Sequence, residues 1–232
     1  KAQKRSKIIK ALKDKSDKTQ KDLKNFLKQK NAKKLVSYWI FNGMAATVKA
    51  GDIAALAGRP EVEKISLDGK IKAPQPTPAA SAAAEWNLEA IGAPGLWDMG
   101  YTGAGVVVAS LDTGVDNLHP DLAGSYRGGG NSWLDPHGIH ATPYDSHGHG
   151  TQSMGLIVGG SAGGTAIGVA PDAHWIAVKI FDDNDEASDS AIHQGFQWLL
   201  DPDGNPNTDD AADVVNNSWS LANLGSCNLE FE

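Results

Sequence analysis

Two histidines stand two residues apart in YDSHGHGTQSMGLIVGG (144–160), where a run of small and apolar residues begins. Imidazole titrates near neutral pH, so such a pair could ligate a metal, or one ring could serve as a general base. Upstream, Asp112 closes the apolar run GVVVASLD (105–112), directly before Thr113 and Gly114. In an open parallel α/β sheet, reacting groups gather outside the carboxyl ends of the strands. Asp112 holds that place, and its carboxylate can either face a crevice or cap its own turn through backbone N–H groups. Position alone leaves both open. His149 favours the crevice. With Asp145 or Ser146 as N-cap, a helix beginning there puts His149 in its first turn, where the positive helix end disfavours imidazolium. An Asp that accepts a hydrogen bond from one ring nitrogen fixes the tautomer and leaves the other nitrogen free to take a proton from a hydroxyl. Asp ahead of His on the chain fits the order Asp…His…Ser.

The elements that must position this pair are readable from periodicity. GVVVASLD (105–112), HWIAVKIF (174–181) and ADVVNNSW (212–219) read as buried strands, HGTQSMGLIVGG (149–160) as a closely packed helix, and ASDSAIHQGFQWLL (187–200) as an amphipathic helix. Alternating buried strands and helices predict an α/β fold with a parallel sheet covered on both faces. Ahead of it, residues 7–34 predict one or two amphipathic helices with Ile8, Leu12, Leu23, Phe26 and Leu27 as the apolar stripe. Residues 34–68 then predict a strand, a turn at Asn42 and Gly43, a second strand, a short helix, a turn at Arg59 and Pro60, and a final strand. KAPQPTPAASAAA (72–84) is rich in proline and small side chains and reads as a linker. The expected division is therefore a small α+β domain over 1–71, a linker over 72–84 and the α/β domain from 85 to 232. DPDGNPNTDDAA (201–212) is an acidic, turn-forming loop.

Hydrophobic residues make up 41% and charged residues 21% of the chain, a globular composition. The net charge of −7 hides a split. Residues 1–34 carry 14 of the 21 Lys and Arg and three acids (Asp14, Asp17, Asp22), a net of +11, which leaves −18 on the remainder. The simplest partner for the basic arm is thus the acidic body of the same chain. The arm has a single aromatic, Phe26, and nucleic acid is not an expected partner. A single cysteine, Cys227, excludes an internal disulfide, and no apolar stretch approaches the roughly 20 residues of a membrane span.

VVVASLDTGVDNLHPDL and HGHGTQSMG resemble the Asp and His signatures of the subtilisin-like serine proteases. The resemblance runs on through IGAPGLWDMGYTGAGV, AIGVAPDAHWIAVKIF and DVVNNSW, covering about residues 86–220, while YWIFNGMAAT and IAALAGRPEVEKI are similar to the inhibitory propeptide that precedes such proteases. The resemblance implies a subtilisin-like fold and proteolysis, with Asp112 as orienting carboxylate and His149 as general base. It also implies that Ser218, Trp219 and Ser220 line the substrate cleft, that residues 185–187 form its opposite edge, and that propeptide and protease contact each other within the chain. Polypeptides are the implied substrates, and secretion is the implied destination. No cofactor is required. Structural calcium is common in the family, and Asp121 in HPDL matches one ligand, but GGSAGGTA (159–166) offers no Asn or Asp beside it; Asp121 is expected to cap a turn instead.

The family's nucleophile lies in a Gly-Thr-Ser segment after an oxyanion-hole Asn, and neither is found before Glu232. The expectation is a propeptide with the Asp- and His-bearing part of a protease, inactive and unstable by itself. Two alternatives compete with the protease reading. One is a metallohydrolase built from His137, His140, His147 and His149, although HGIH sits in a loop rather than on a metal-binding helix. The other is a propeptide-type inhibitor or folding aid joined to a non-catalytic protease-like partner.

Overall fold

Val107–Asp112 carries no charge until its last residue, and in the computed structural model it forms a strand at the centre of a sheet. The structure describes residues 2–76 and 86–220. They hold the α-helices α1 (Ala2–Gln29), α2 (Ile53–Ala57), α3 (Trp86–Ala90), α4 (Ala93–Asp98), α5 (His149–Val158) and α6 (Asp189–Leu200). The strands are β1 (Lys33–Tyr38), β2 (Gly43–Thr47), β3 (Lys70–Lys72), β4 (Val107–Asp112), β5 (Trp133–Leu134), β6 (His174–Lys179), β7 (Glu186–Ser188) and β8 (Val214–Asn216). Two compact units result: Lys1–Gly69 with Phe196–Ala211, and Lys70–Gly195 with Ala212–Glu232.

In the second unit the four-stranded sheet has the order β5-β6-β4-β8, with every pairing parallel. This is the α/β fold that the alternation of elements predicts. Side chains alternate across a strand, and the two faces of β4 and β6 bury different sets. Val108, Trp175 and Ala177 pack with Met154 and Val158 of α5 in one apolar cluster, where the Trp175 indole also donates to Leu122 O at 2.9 Å. Leu111, Val178 and Ile180 surround Gly195 of α6 on the other face. Asp112 and Lys179 share the α5 face with Val108 and Trp175, directly opposite one another in register. The strand therefore aims its terminal carboxylate toward the helix that begins with His149.

In the first unit a single helix, α1, spans the basic arm, and β1 and β2 form a hairpin. The buried stripe of α1 is Ile9, Ser16, Gln20 and Leu27, while Ile8 is 49% exposed. Of the expected stripe Leu27 is buried and Leu12, Leu23 and Phe26 are partly buried, so only Ile8 falls outside it; Gln20 joins the buried face, its Nε2 donating to Tyr38 O (2.9 Å) and Gly43 O (3.2 Å). Gln197 of α6 clasps the hairpin end, accepting from Trp39 N at 2.7 Å and donating to Ser37 O at 3.3 Å. Lys13 meets Asp201 and Arg5 meets Asp209, so the basic helix finds carboxylates of the acidic loop. The final strand expected before residue 68 is absent: residues 62–69 are irregular and leave Leu67 92% exposed. Pairing starts only at Lys70. Most of the expected linker, 77–84, lies outside the described residues. No helix among the described residues is long and apolar enough to cross a membrane.

The burial of Ile9 in place of Ile8 is testable by truncation. Ile9→Ala should lower unfolding free energy by about 2–4 kcal/mol, as removal of a buried branched side chain does, whereas Ile8→Ala should cost less than about 1 kcal/mol. Urea denaturation of both variants checks it; equal losses would return the stripe to Ile8.

Candidate active site

The end of β4 and the start of α5 approach until backbone touches backbone. A Cβ on Gly150 would lie 2.1 Å from Gly114 O and 3.1 Å from Asp112 Cβ, and one on Gly114, at φ 114°, would lie 1.9 Å from Tyr144 O. Only glycine permits either approach. Across this junction Asp112 Oδ1 lies 2.8 Å from His149 Nδ1, and Thr113 N donates to the same oxygen at 2.7 Å. As the Nδ1–H tautomer the ring donates to the carboxylate and leaves Nε2 as a base. The Asp112 side chain is 1% exposed, and its Oδ2 is buried with no hydrogen-bond partner among the described residues. Burial pushes the Asp112 carboxyl above its ordinary value, partly offset by the hydrogen bonds from His149 and Thr113 N.

Three neighbours hold this geometry, Asp145 in a role other than the expected cap, and Thr113 and Lys179 in roles the sequence did not suggest. α5 begins at His149, where the 149–160 pattern puts it, but its N-cap is Gly148, at φ 89°, and neither Asp145 nor Ser146. The Asp145 carboxylate instead spans the helix entrance, accepting from Gly148 N (2.9 Å), Thr151 N (2.9 Å) and Thr151 Oγ1 (2.6 Å). Thr113 Oγ1 accepts from Gly150 N and donates to Asp145, both at 2.9 Å, stitching strand end to helix start. Lys179, buried on the same face, donates to Thr113 O at 2.8 Å and lies 3.3 Å from Asp183. A lysine ending an apolar strand next to an acidic run was the available signal.

The other three histidines of the 137–149 cluster have other engagements. His147 Nε2 is 4.0 Å from Asp185 Oδ2, and its ring stands edge-on to His149 at 6.4 Å. His137 Nε2 lies 2.9 Å from Ile180 O, and His140 Nε2 lies 2.9 Å from Asp183. Burial alone would raise Asp183, but hydrogen bonds from His140 and Lys179 hold its carboxyl below the ordinary value. Asp121 clamps the loop after α5, accepting from Gly160 N (2.8 Å) through its carbonyl and from Ala162 N (2.6 Å) through its carboxylate. Ser218 bonds Asn216, and the Trp219 indole donates to Leu111 O at 2.9 Å, next to Asp112. Ser220 follows directly on the chain. Opposite in sequence, β7 is already paired: β3 runs antiparallel to it, Ile71 facing Ala187, with Lys70 and Lys72 both at Glu186 (3.0 and 2.9 Å). Those two lysines hold the Glu186 carboxyl below its ordinary value.

An imidazole held by a buried carboxylate at the carboxyl edge of a parallel sheet is an arrangement that, with the ring neutral, can take a proton from a hydroxyl. Comparison with known proteins gives the lineage. Residues 103–228, more than half of the chain, match the model of the subtilase family. The chain is 38% identical to bacillopeptidase F of Bacillus subtilis over 94% of its own length and 17% of the relative's. It is 33% identical to a subtilisin-like protease of Coccidioides posadasii and 30% identical to subtilisin E of Bacillus subtilis, over 69% and 76% of this chain and 38% and 44% of those relatives. This chain belongs to the subtilase family, as its motifs imply, and it spans less than half the length of these relatives.

The raised Asp112 carboxyl has a pH signature. Unfolded, an Asp titrates near about 3.9; folded, Asp112 titrates higher. Below the ordinary value both states hold the proton. As pH rises through the raised value, the folded protein must keep a buried charge and loses stability relative to the unfolded chain. Asp112→Asn removes that loss, so its Tm relative to wild type should climb as pH rises from about 4 and then level off. A pH-independent difference would contradict it.

Proposed function

We propose that the protein is a serine endopeptidase in which Asp112 orients His149 and His149 takes the proton of a serine hydroxyl as that hydroxyl attacks a peptide carbonyl. The 2.8 Å contact between Nδ1 and Oδ1 is the observation that carries this reading. The serine belongs to the Gly-Thr-Ser segment characteristic of the family, which is not among these 232 residues. When the ring accepts the proton, imidazolium forms beside a carboxylate in a site shielded from water, where the attraction is strongest. His149 then returns the proton to the leaving amine, as general acid.

Substrate lies as an extended strand between β7 and the segment Ser218, Trp219 and Ser220. The pairing of β3 with β7 supports this, since that edge accepts a chain in strand conformation. Residues 1–71 act as the inhibitory propeptide, with β3 as the segment in the cleft, 72–84 as the linker and 85–232 as the part of the peptidase domain that bears Asp and His. Polypeptides are the substrates and the destination is extracellular. Neither a cofactor nor Asp121-bound calcium enters the chemistry; Asp121 works as a loop clamp.

In the full-length protein, His149→Ala should lower kcat for a chromogenic peptide amide by on the order of 10⁶, with KM little changed, because the unit loses nearly all its power with any central member. A serine-directed phosphonate should abolish wild-type activity. Retention of activity in the variant would overturn the role given to His149, and inhibition by a chelator but not by the phosphonate would point to the histidine-cluster metallohydrolase instead.

A further inference from the structure

The strand that pairs with β7 shows which side chains that edge accepts. Side chains alternate along a strand, and over residues 70–73 the alternation sorts by chemistry. Ile71 and Ala73 are buried, whereas the side chains of Lys70 and Lys72 are 67% and 68% exposed. Ala187, opposite Ile71, is buried too, and the pairing runs on past β3, with Ala73 N donating to Asp185 O at 2.8 Å. The two ammonium groups converge on one carboxylate. Lys70 Nζ lies 3.0 Å from Glu186 Oε2 and Lys72 Nζ lies 2.9 Å from Oε1, one cation to each oxygen. The acids just before it have other engagements. Asp182 accepts from Asn184 N and Glu186 N, Asp183 meets His140 and Lys179, and Asp185 faces His147. Within the run, Glu186 is the acid that meets the added strand.

We propose that Glu186 is a specificity-determining residue that selects polypeptides with two basic residues flanking an aliphatic one, the pattern Lys-Ile-Lys-Ala of residues 70–73. This rests on the reading that substrate adds to β7 as an extended strand. Main-chain pairing at a sheet edge takes any sequence, and side-chain positions supply the selection. Only alternate residues of an extended chain face the same way, so one carboxylate reaches two cations when they are two positions apart. Two adjacent basic residues are disfavoured, because one of them then turns to the buried side, where an unpaired charge is costly.

Quenched fluorescent peptides carrying Lys-Ile-Lys-Ala, Gln-Ile-Gln-Ala, Lys-Lys-Ile-Ala or Glu-Ile-Glu-Ala ahead of one constant sequence test this on the full-length protein. Lys-Ile-Lys-Ala should exceed Gln-Ile-Gln-Ala about tenfold in kcat/KM, about threefold for each exposed ion pair. Lys-Lys-Ile-Ala, of the same composition, should lose most of that advantage. The preference should shrink in about 0.5 M NaCl, which screens exposed charges. Glu186→Gln should bring the lysine and glutamine peptides level, and Glu186→Lys should favour Glu-Ile-Glu-Ala. Fluorescence anisotropy of the same peptides, labelled, on full-length His149→Ala reads the preference without the chemistry. Equal binding of all four peptides, or a lysine preference that persists in Glu186→Gln, overturns the proposal. Cleavage without charge preference sinks the role of Glu186 and leaves the peptidase reading standing. Charge-selective binding by a protein that cleaves none of the peptides does the reverse.

Discussion

The contact between Gly150 and the Gly114 carbonyl is the constraint on which the site rests. With a 2.1 Å clearance for a hypothetical Cβ, the strand end and the helix start cannot separate by a side chain's width. That closeness lets a short Asp side chain reach an imidazole in the first helical turn without help from water. Thr113 and Asp145 then fix the junction through hydrogen bonds on both sides, and Lys179 holds the Thr113 carbonyl from beneath. Each of these groups acts on position, and the proposed proton chemistry falls to Asp112 and His149.

The same arrangement sets function against stability. Asp112 is placed where burial raises its carboxyl and where one oxygen has no donor among the described residues. A residue chosen for the fold alone would not be a charge in that place. In the proposed chemistry that charge is offset when the neighbouring ring becomes imidazolium as a serine loses its proton. Stability given up in the resting protein would then return as electrostatic attraction in the transition state.

Much of this was legible in the sequence where a physical rule had one outcome. An apolar run ending in Asp gave β4 and its terminal carboxylate, and small residues after His149 gave a helix able to approach the sheet. The rule failed where two outcomes competed. Asp145 is a good N-cap type, yet glycine at 148 takes the left-handed position and the carboxylate reaches the helix from farther back. Of the α1 stripe only Ile8 departs, and the buried Gln20, whose Nε2 donates to two carbonyls, is a polar member that hydrophobic periodicity does not register. β3 and β7 are three residues each and gain strand character only from each other across more than a hundred residues. Local pattern does not contain that pairing.

Nitrogen-15 chemical shifts of His149 at neutral pH measure the central claim most directly, because they report which ring nitrogen carries the proton. The geometry predicts a protonated Nδ1 and a free Nε2, with a strongly deshielded Nδ1 proton that is lost in Asp112→Asn. A proton on Nε2, or shifts indifferent to that substitution, would mean that the carboxylate does not orient the ring and that the pair is not an acid–base unit.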